Sequence, residues 1–236
     1  MRYLTSRENQ EKDRNLAWRV TYCREAAHLK RLLRELSSEK TPGPSPSFSP
    51  VHVVKALEVI SEGPIGRNRL SDELLLGEGA TRTLIERLKT RDLITVDRAG
   101  CKLSRKGKEV WKALHAVFPR KIVLEGSGLT LARFNVAVLV RGRSDRVKMG
   151  IEQRDASLLS GAKGATTLLL KDGELTVPPS QWKIAEDFPE IHRELVDMLK
   201  PSENDVIVIG SADSLKKAEY GAWGAALTLI DQDVTA

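Results

Sequence analysis

The chain has 236 residues, 41% of them hydrophobic and 30% charged, with a formal net charge of +6. That length suits two small domains or one large one, and no apolar run approaches the roughly 18–20 residues that a bilayer span needs. The N-terminus is charged and lacks an apolar signal core, so a cytoplasmic protein without membrane contact is expected.

Residues 1–40 are read as a charged helical extension. Leu16, Val20, Cys23 and Ala27 form one apolar stripe, and Leu29, Leu33 and Leu36 continue it on a shifted face. This predicts an amphipathic helix from about Glu11 to Leu36. Three roles stay open for it: a dimerisation helix, a basic arm against nucleic acid, or a loosely attached extension. Residues 41–50, TPGPSPSFSP, hold four prolines, a glycine and three serines. Such a stretch cannot continue a helix and is read as a linker.

Residues 51–119 read as a winged helix-turn-helix domain. Val53, Val54, Leu57 and Ile60 mark a first helix, which Gly63-Pro64 stops. Leu70, Leu74 and Leu75 give a second helix its apolar face. Gly77-Glu78-Gly79 makes the turn, and Thr81, Leu84, Ile85 and Leu88 face inward on a third helix. The period then changes: Leu93–Val96 and Cys101–Leu103 predict two strands around Asp97-Arg98-Ala99-Gly100. Val110, Trp111, Leu114 and Val117 mark a last helix, ended by Pro119.

Residues 120–236 change character. Ile122–Leu124, Phe134–Val140, Thr166–Leu170, Leu175–Val177 and Val206–Ile209 are strand-like, and Trp182–Leu199 and Ser214–Ile230 look helical. The fold class is therefore α+β: a winged helix followed by a small mixed α/β domain for ligand sensing or dimerisation. Charge divides along the same line. Residues 1–120 carry a net +9 and residues 121–236 a net −3, so the basic excess lies where a phosphate-contacting surface is expected.

A helix in the major groove presents its early outward residues to base edges. Arg82 and Thr83 are the first candidates, with Arg87 a turn later. Arg98 and Lys102 in the wing, with Arg67 and Arg69 before the second helix, are assigned to phosphates, which set register rather than sequence. In the second half, Arg154, Asp155, Lys163 and Ser211 are the candidate ligand-binding residues, since glycines beside Lys163 and a helix start after Ser211 suit an anion. The bland readings are an Arg154–Asp155 ion pair and a capping role for Ser211.

Cys23 and Cys101 stand alone, and His28, His52, His115 and His192 sit in separate segments. No metal, cofactor or catalytic set is expected, which makes an enzyme the weaker reading.

Taken together, Leu76-Gly77-Glu78-Gly79, Arg82-Thr83-Leu84 and Lys106-Gly107-Lys108-Glu109, with Glu152-Gln153-Arg154-Asp155, Ala162-Lys163-Gly164-Ala165 and Lys171-Asp172-Gly173-Glu174 leading to Pro178, carry a resemblance. The chain resembles an archaeal family of uncharacterised proteins joining an N-terminal winged helix to a C-terminal domain of unknown function, over about Val51 to Ile230. The resemblance implies a transcriptional regulator and brings no ligand or catalytic residues. The expected partners are double-stranded DNA, a small-molecule effector and a second copy in a homodimer. Two alternatives stand beside it: an enzyme acting on a phosphorylated small molecule or nucleotide, and a winged-helix protein-interaction module.

Overall fold

The computed structural model describes residues 28–38, 47–126, 128–180 and 182–231. The stripe from Leu16 to Ala27 and most of the proline-rich stretch lie outside them. Residues 28–37 form helix α1. Its Leu29, Leu32, Leu33 and Leu36 follow a helical spacing and are all buried in the core, so this part of the extension is packed against the rest rather than loosely attached.

Helix α2 (Pro50–Ser61) starts on Pro50, whose missing N–H costs nothing at a first helical position. Helix α3 (Arg67–Leu74) stops where Leu75 takes a left-handed conformation, φ 52°. Leu75 therefore leaves the apolar face on which its spacing had placed it and is exposed. Leu70 and Leu74 remain fully buried. Helix α4 (Glu78–Thr90) buries Thr81, Leu84, Ile85 and Leu88, the four positions that its periodicity turns inward.

Strands β1 (Ile94–Asp97) and β2 (Gly100–Leu103) form an antiparallel hairpin. Ile65 adds a one-residue bridge, exchanging backbone hydrogen bonds of 3.1 and 2.8 Å with Cys101. Gly100 is required beside it: its φ is +116°, and a Cβ there would lie 2.4 Å from the Ile65 carbonyl oxygen. Helix α5 (Arg105–Val117) follows, with the Ser104 hydroxyl accepting from the Gly107 amide at 3.0 Å as an N-cap.

The second half is built on strands β3 (Lys121–Leu124), β4 (Phe134–Val140), β5 (Gly164–Lys171), β6 (Glu174–Val177), β7 (Trp182–Lys183) and β8 (Val206–Ala212). They form a single antiparallel sheet in the order β3-β4-β8-β5-β6-β7. Helices α7 (Ile184–Asp187) and α8 (Pro189–Leu199) cover one face through Ile184, Ile191, Leu195 and Leu199. Helices α6 (Ile151–Leu159) and α9 (Leu215–Asp231) lie against the sheet's other side. The expected helix Trp182–Leu199 is therefore a short strand and two helices. It breaks at Phe188 because a residue before proline is pushed out of the helical region, here to φ −133° and ψ 60°.

Helix α9 also joins the two halves. Tyr220 donates to the Leu74 carbonyl at 2.7 Å, and its ring meets that of His52 edge-on at 5.0 Å. Lys55 of α2 pairs with Glu58 and Glu219 at 2.7 Å each, and Lys121 of β3 closes the ring by pairing with the same two carboxylates. One continuous apolar cluster runs from α1 through α2–α5 to the sheet and α9.

Candidate nucleic-acid interface

The basic residues singled out in the first half come from three elements that the chain brings side by side. Arg67 opens α3, Arg82 lies on the outer face of α4, and Arg98 sits at the tip of the β1–β2 hairpin. All three are exposed and line one cleft of about 450 Å³, together with Asn68, Lys89 and the backbone of Gly100. The hairpin reaches this cleft because the Ile65–Cys101 bridge ties β2 to the segment just before α3. Among the described residues, none of the Arg67, Arg82 and Arg98 guanidinium groups has an ion-pair or hydrogen-bond partner. A concave surface with several uncompensated guanidinium groups attracts anions in general and phosphates in particular, because the planar fork matches phosphate oxygens.

The other candidates differ in what they touch. Arg69 is exposed on α3, outside the cleft. Thr83 is exposed on α4 and its hydroxyl donates to the Gly79 carbonyl at 3.1 Å, which fixes its rotamer. Lys102 bonds Asp97 across the hairpin at 2.8 Å. That bond is the main cause holding the Asp97 carboxyl below the usual carboxylate range, with the Ala99 amide adding to it. Lys102 is thus partly neutralised within the hairpin, whereas Arg98 is not. Glu86 and Asp97 supply the negative charge in the cleft.

Arg87 departs from expectation. Its Nη1 donates to the carbonyls of Leu36 and Ser38, at 2.7 Å each, and the guanidinium lies 5.1 Å from the centroid of the Phe48 ring. It caps the C-terminal end of α1 and cannot read a base edge from there without releasing that helix. The helical period explains why. Arg87 is five residues beyond Arg82, about 140° around the axis, whereas Lys89 is seven beyond and returns to the same face. Lys89 is therefore a cleft residue that the candidates named from the sequence did not include.

The ligand residues expected in the second half do not form an open site. Ser211 is fully buried: its hydroxyl donates to Asn135 Oδ1 at 2.7 Å and accepts from the Leu131 amide at 3.2 Å. It lies within β8 rather than in a loop before α9, so it is neither an anion site nor a helix cap. Arg154 and Asp155 pair with each other at 2.9 Å, and Lys163 pairs with Asp213 at 2.6 Å. Among the described residues, no group of three or more His, Cys, Asp or Glu side chains could hold a metal ion. No helix there is long and apolar enough to cross a membrane.

Comparison with known proteins divides the chain into two matched regions. Residues 54–109, from α2 into α5, match the N-terminal domain of PH0730-like proteins. Residues 131–229, from the end of the β3–β4 connection through most of α9, match a domain of unknown function, DUF4443. A solved structure described as hypothetical protein PH0730 from Pyrococcus horikoshii OT3 is 31% identical, with a TM-score of 0.61, over 78% of this chain and 95% of that one. No curated protein matches.

Proposed function

The chain belongs to the PH0730-like family, and we propose that residues 50–117 act in it as a winged helix that binds duplex DNA. The observation that carries this reading is the convergence of Arg67, Arg82 and Arg98, from two helices and the hairpin, on one exposed cleft. In this arrangement α4 lies in the major groove. Arg82 and Thr83 face base edges, and Lys89 extends the same face. Arg67, Arg69 and Arg98 hold phosphates on either side, with Lys102 assisting once Asp97 releases it. Arg87 has no part in it. The net positive charge of the first half favours the same partner through counterion release. Two copies would read the two halves of a symmetric operator, and the second half supplies either that dimer contact or a response to a small molecule.

Fluorescence anisotropy across a salt series tests the proposal, using a duplex from the gene's own upstream region and a scrambled one. Arg82→Ala should weaken binding to the native duplex by about 1–3 kcal/mol and narrow its advantage over the scrambled one. Arg98→Ala should weaken both equally and lower the salt slope by roughly one unit. If the intact protein shows no salt-dependent binding to either duplex, the proposal fails.

A further inference from the structure

A second basic cleft lies in the half of the chain whose net charge is negative. It encloses about 550 Å³ and gathers Lys148 from the segment before α6, Lys171 from the end of β5 and Lys183 from β7. Its floor is one face of the sheet edge. The register places Leu169 opposite Thr176 and Thr176 opposite Lys183, with Lys171 opposite Glu174 in the next row. These side chains therefore share a face across three strands. Val147 and the Pro178-Pro179 pair form apolar walls. The β5–β6 turn at the rim is held from outside, where the amides of Asp172 and Gly173 donate to the Glu203 carboxylate at 3.0 and 3.4 Å.

Two carboxylates oppose the three ammonium groups. Glu174 lies 3.7 Å from Lys183, and Asp172 lines the rim. Among the described residues, Lys148 and Lys171 have no ion-pair partner. Lysines on a convex surface are ordinarily just solvated, but these enter a cleft from separate segments around a buried leucine and prolines. A rigid duplex cannot enter such a volume, which lies in the range of small-molecule sites.

We propose that this cleft binds a small phosphorylated molecule, with Lys148 and Lys171 holding the phosphoryl oxygens. The Thr176 hydroxyl adds a polar contact, and the rest of the ligand rests on Val147, Leu169 and the two prolines. This inference is independent of DNA binding by the first half.

Isothermal titration of the full chain with inorganic pyrophosphate and with adenosine monophosphate tests it. Saturable binding of either probe is expected, weakened roughly tenfold or more in Lys148→Ala/Lys171→Ala. It should be unchanged in Lys217→Ala, which removes an exposed lysine of α9. All three substituted side chains are exposed, and thermal unfolding of each variant verifies that the fold is retained. Failure of both probes to saturate overturns the proposal, as does equal weakening by Lys217→Ala or undiminished binding by the double variant. Loss of duplex-DNA affinity in the double variant with phosphate binding unaltered also overturns it, and assigns the lysines to a nucleic-acid surface.

Discussion

Replacing Glu219 by Gln removes one charge from a ring of four that holds the two halves together. Lys55 is 7% exposed and, among the described residues, pairs with Glu58 and Glu219 alone, at 2.7 Å each, while Lys121 shares both carboxylates. The native ring is neutral; the variant leaves one excess positive charge in a mostly buried site. Loss of one partner from a buried ion pair costs about 3–5 kcal/mol. Because Glu58 still serves both lysines and Gln can still accept a hydrogen bond, about 1–3 kcal/mol is expected here. Urea unfolding of the intact chain measures it, and an unchanged m-value assigns the difference to stability. The companion variant Lys55→Met/Glu219→Leu removes the attraction and the desolvation together and should recover part of the loss. A Gln variant within about 0.5 kcal/mol of the parent would refute the account, since that is the scale of solvated surface pairs.

The same ring predicts a pH dependence. Burial acts to raise the Glu219 carboxyl, but the Lys121 and Lys55 ammonium groups outweigh it and hold it below the usual carboxylate range. Its contribution is therefore complete above that range and is lost as the pH falls through the lowered value, a loss that Glu219→Gln should abolish. His52 acts at milder acidity. Burial lowers it from 6.5 to about 4, so the unfolded chain takes up a proton that the folded chain refuses, and stability should fall as pH drops from 6.5 towards 4. Unfolding measured across that interval should lose this slope in His52→Gln. Arg87→Ala deletes two charge-assisted bonds to the end of α1 and should cost about 1–3 kcal/mol. Amide exchange should quicken first in residues 29–38, while unchanged exchange there would contradict the capping role.

Elements with one buried face and an uninterrupted period were legible from their residues alone. Thr81, Leu84, Ile85 and Leu88 marked the buried side of α4, and Phe134–Val140 is β4 without a residue's difference. Helix α6 was missed. It is only nine residues long and buries Gln153 and Ser157 rather than an apolar stripe, leaving Leu158 and Leu159 exposed. Its packing on α9 instead depends on glycines: a Cβ on Gly224 would lie 2.1 Å from the Ser160 hydroxyl oxygen. Small-residue contacts of that kind have no periodic signature. The cleft of the first half was partly readable, since Arg82, Arg67 and Arg98 were named from the order of elements. The helical period already sets Arg87 about 140° from Arg82, but its capping of α1 could be known only from where that helix packs. Ser211 was misplaced because glycine and serine suggested a loop. Gly210 is in fact where β8 and α9 touch, a Cβ there lying 2.3 Å from the Ala222 amide nitrogen.

The strand order bears on how the chain is made. Strand β8 lies at the centre of the sheet, between β4 and β5, yet among the described strands it comes last in sequence. During synthesis on the ribosome, β4 and β5 each wait with an unsatisfied inner edge until Val206–Ala212 leaves the exit tunnel. Helix α9 then follows to close the seam with the helices made first. The hairpin and helices of the first half depend mostly on local contacts and can condense early, whereas the second half must assemble nearly at once and late. Unpaired edges are templates for association with other chains. The interval before β8 emerges is therefore when those edges are most open to pairing with other chains, and a stop codon between residues 206 and 231 would do more harm than the number of residues lost suggests.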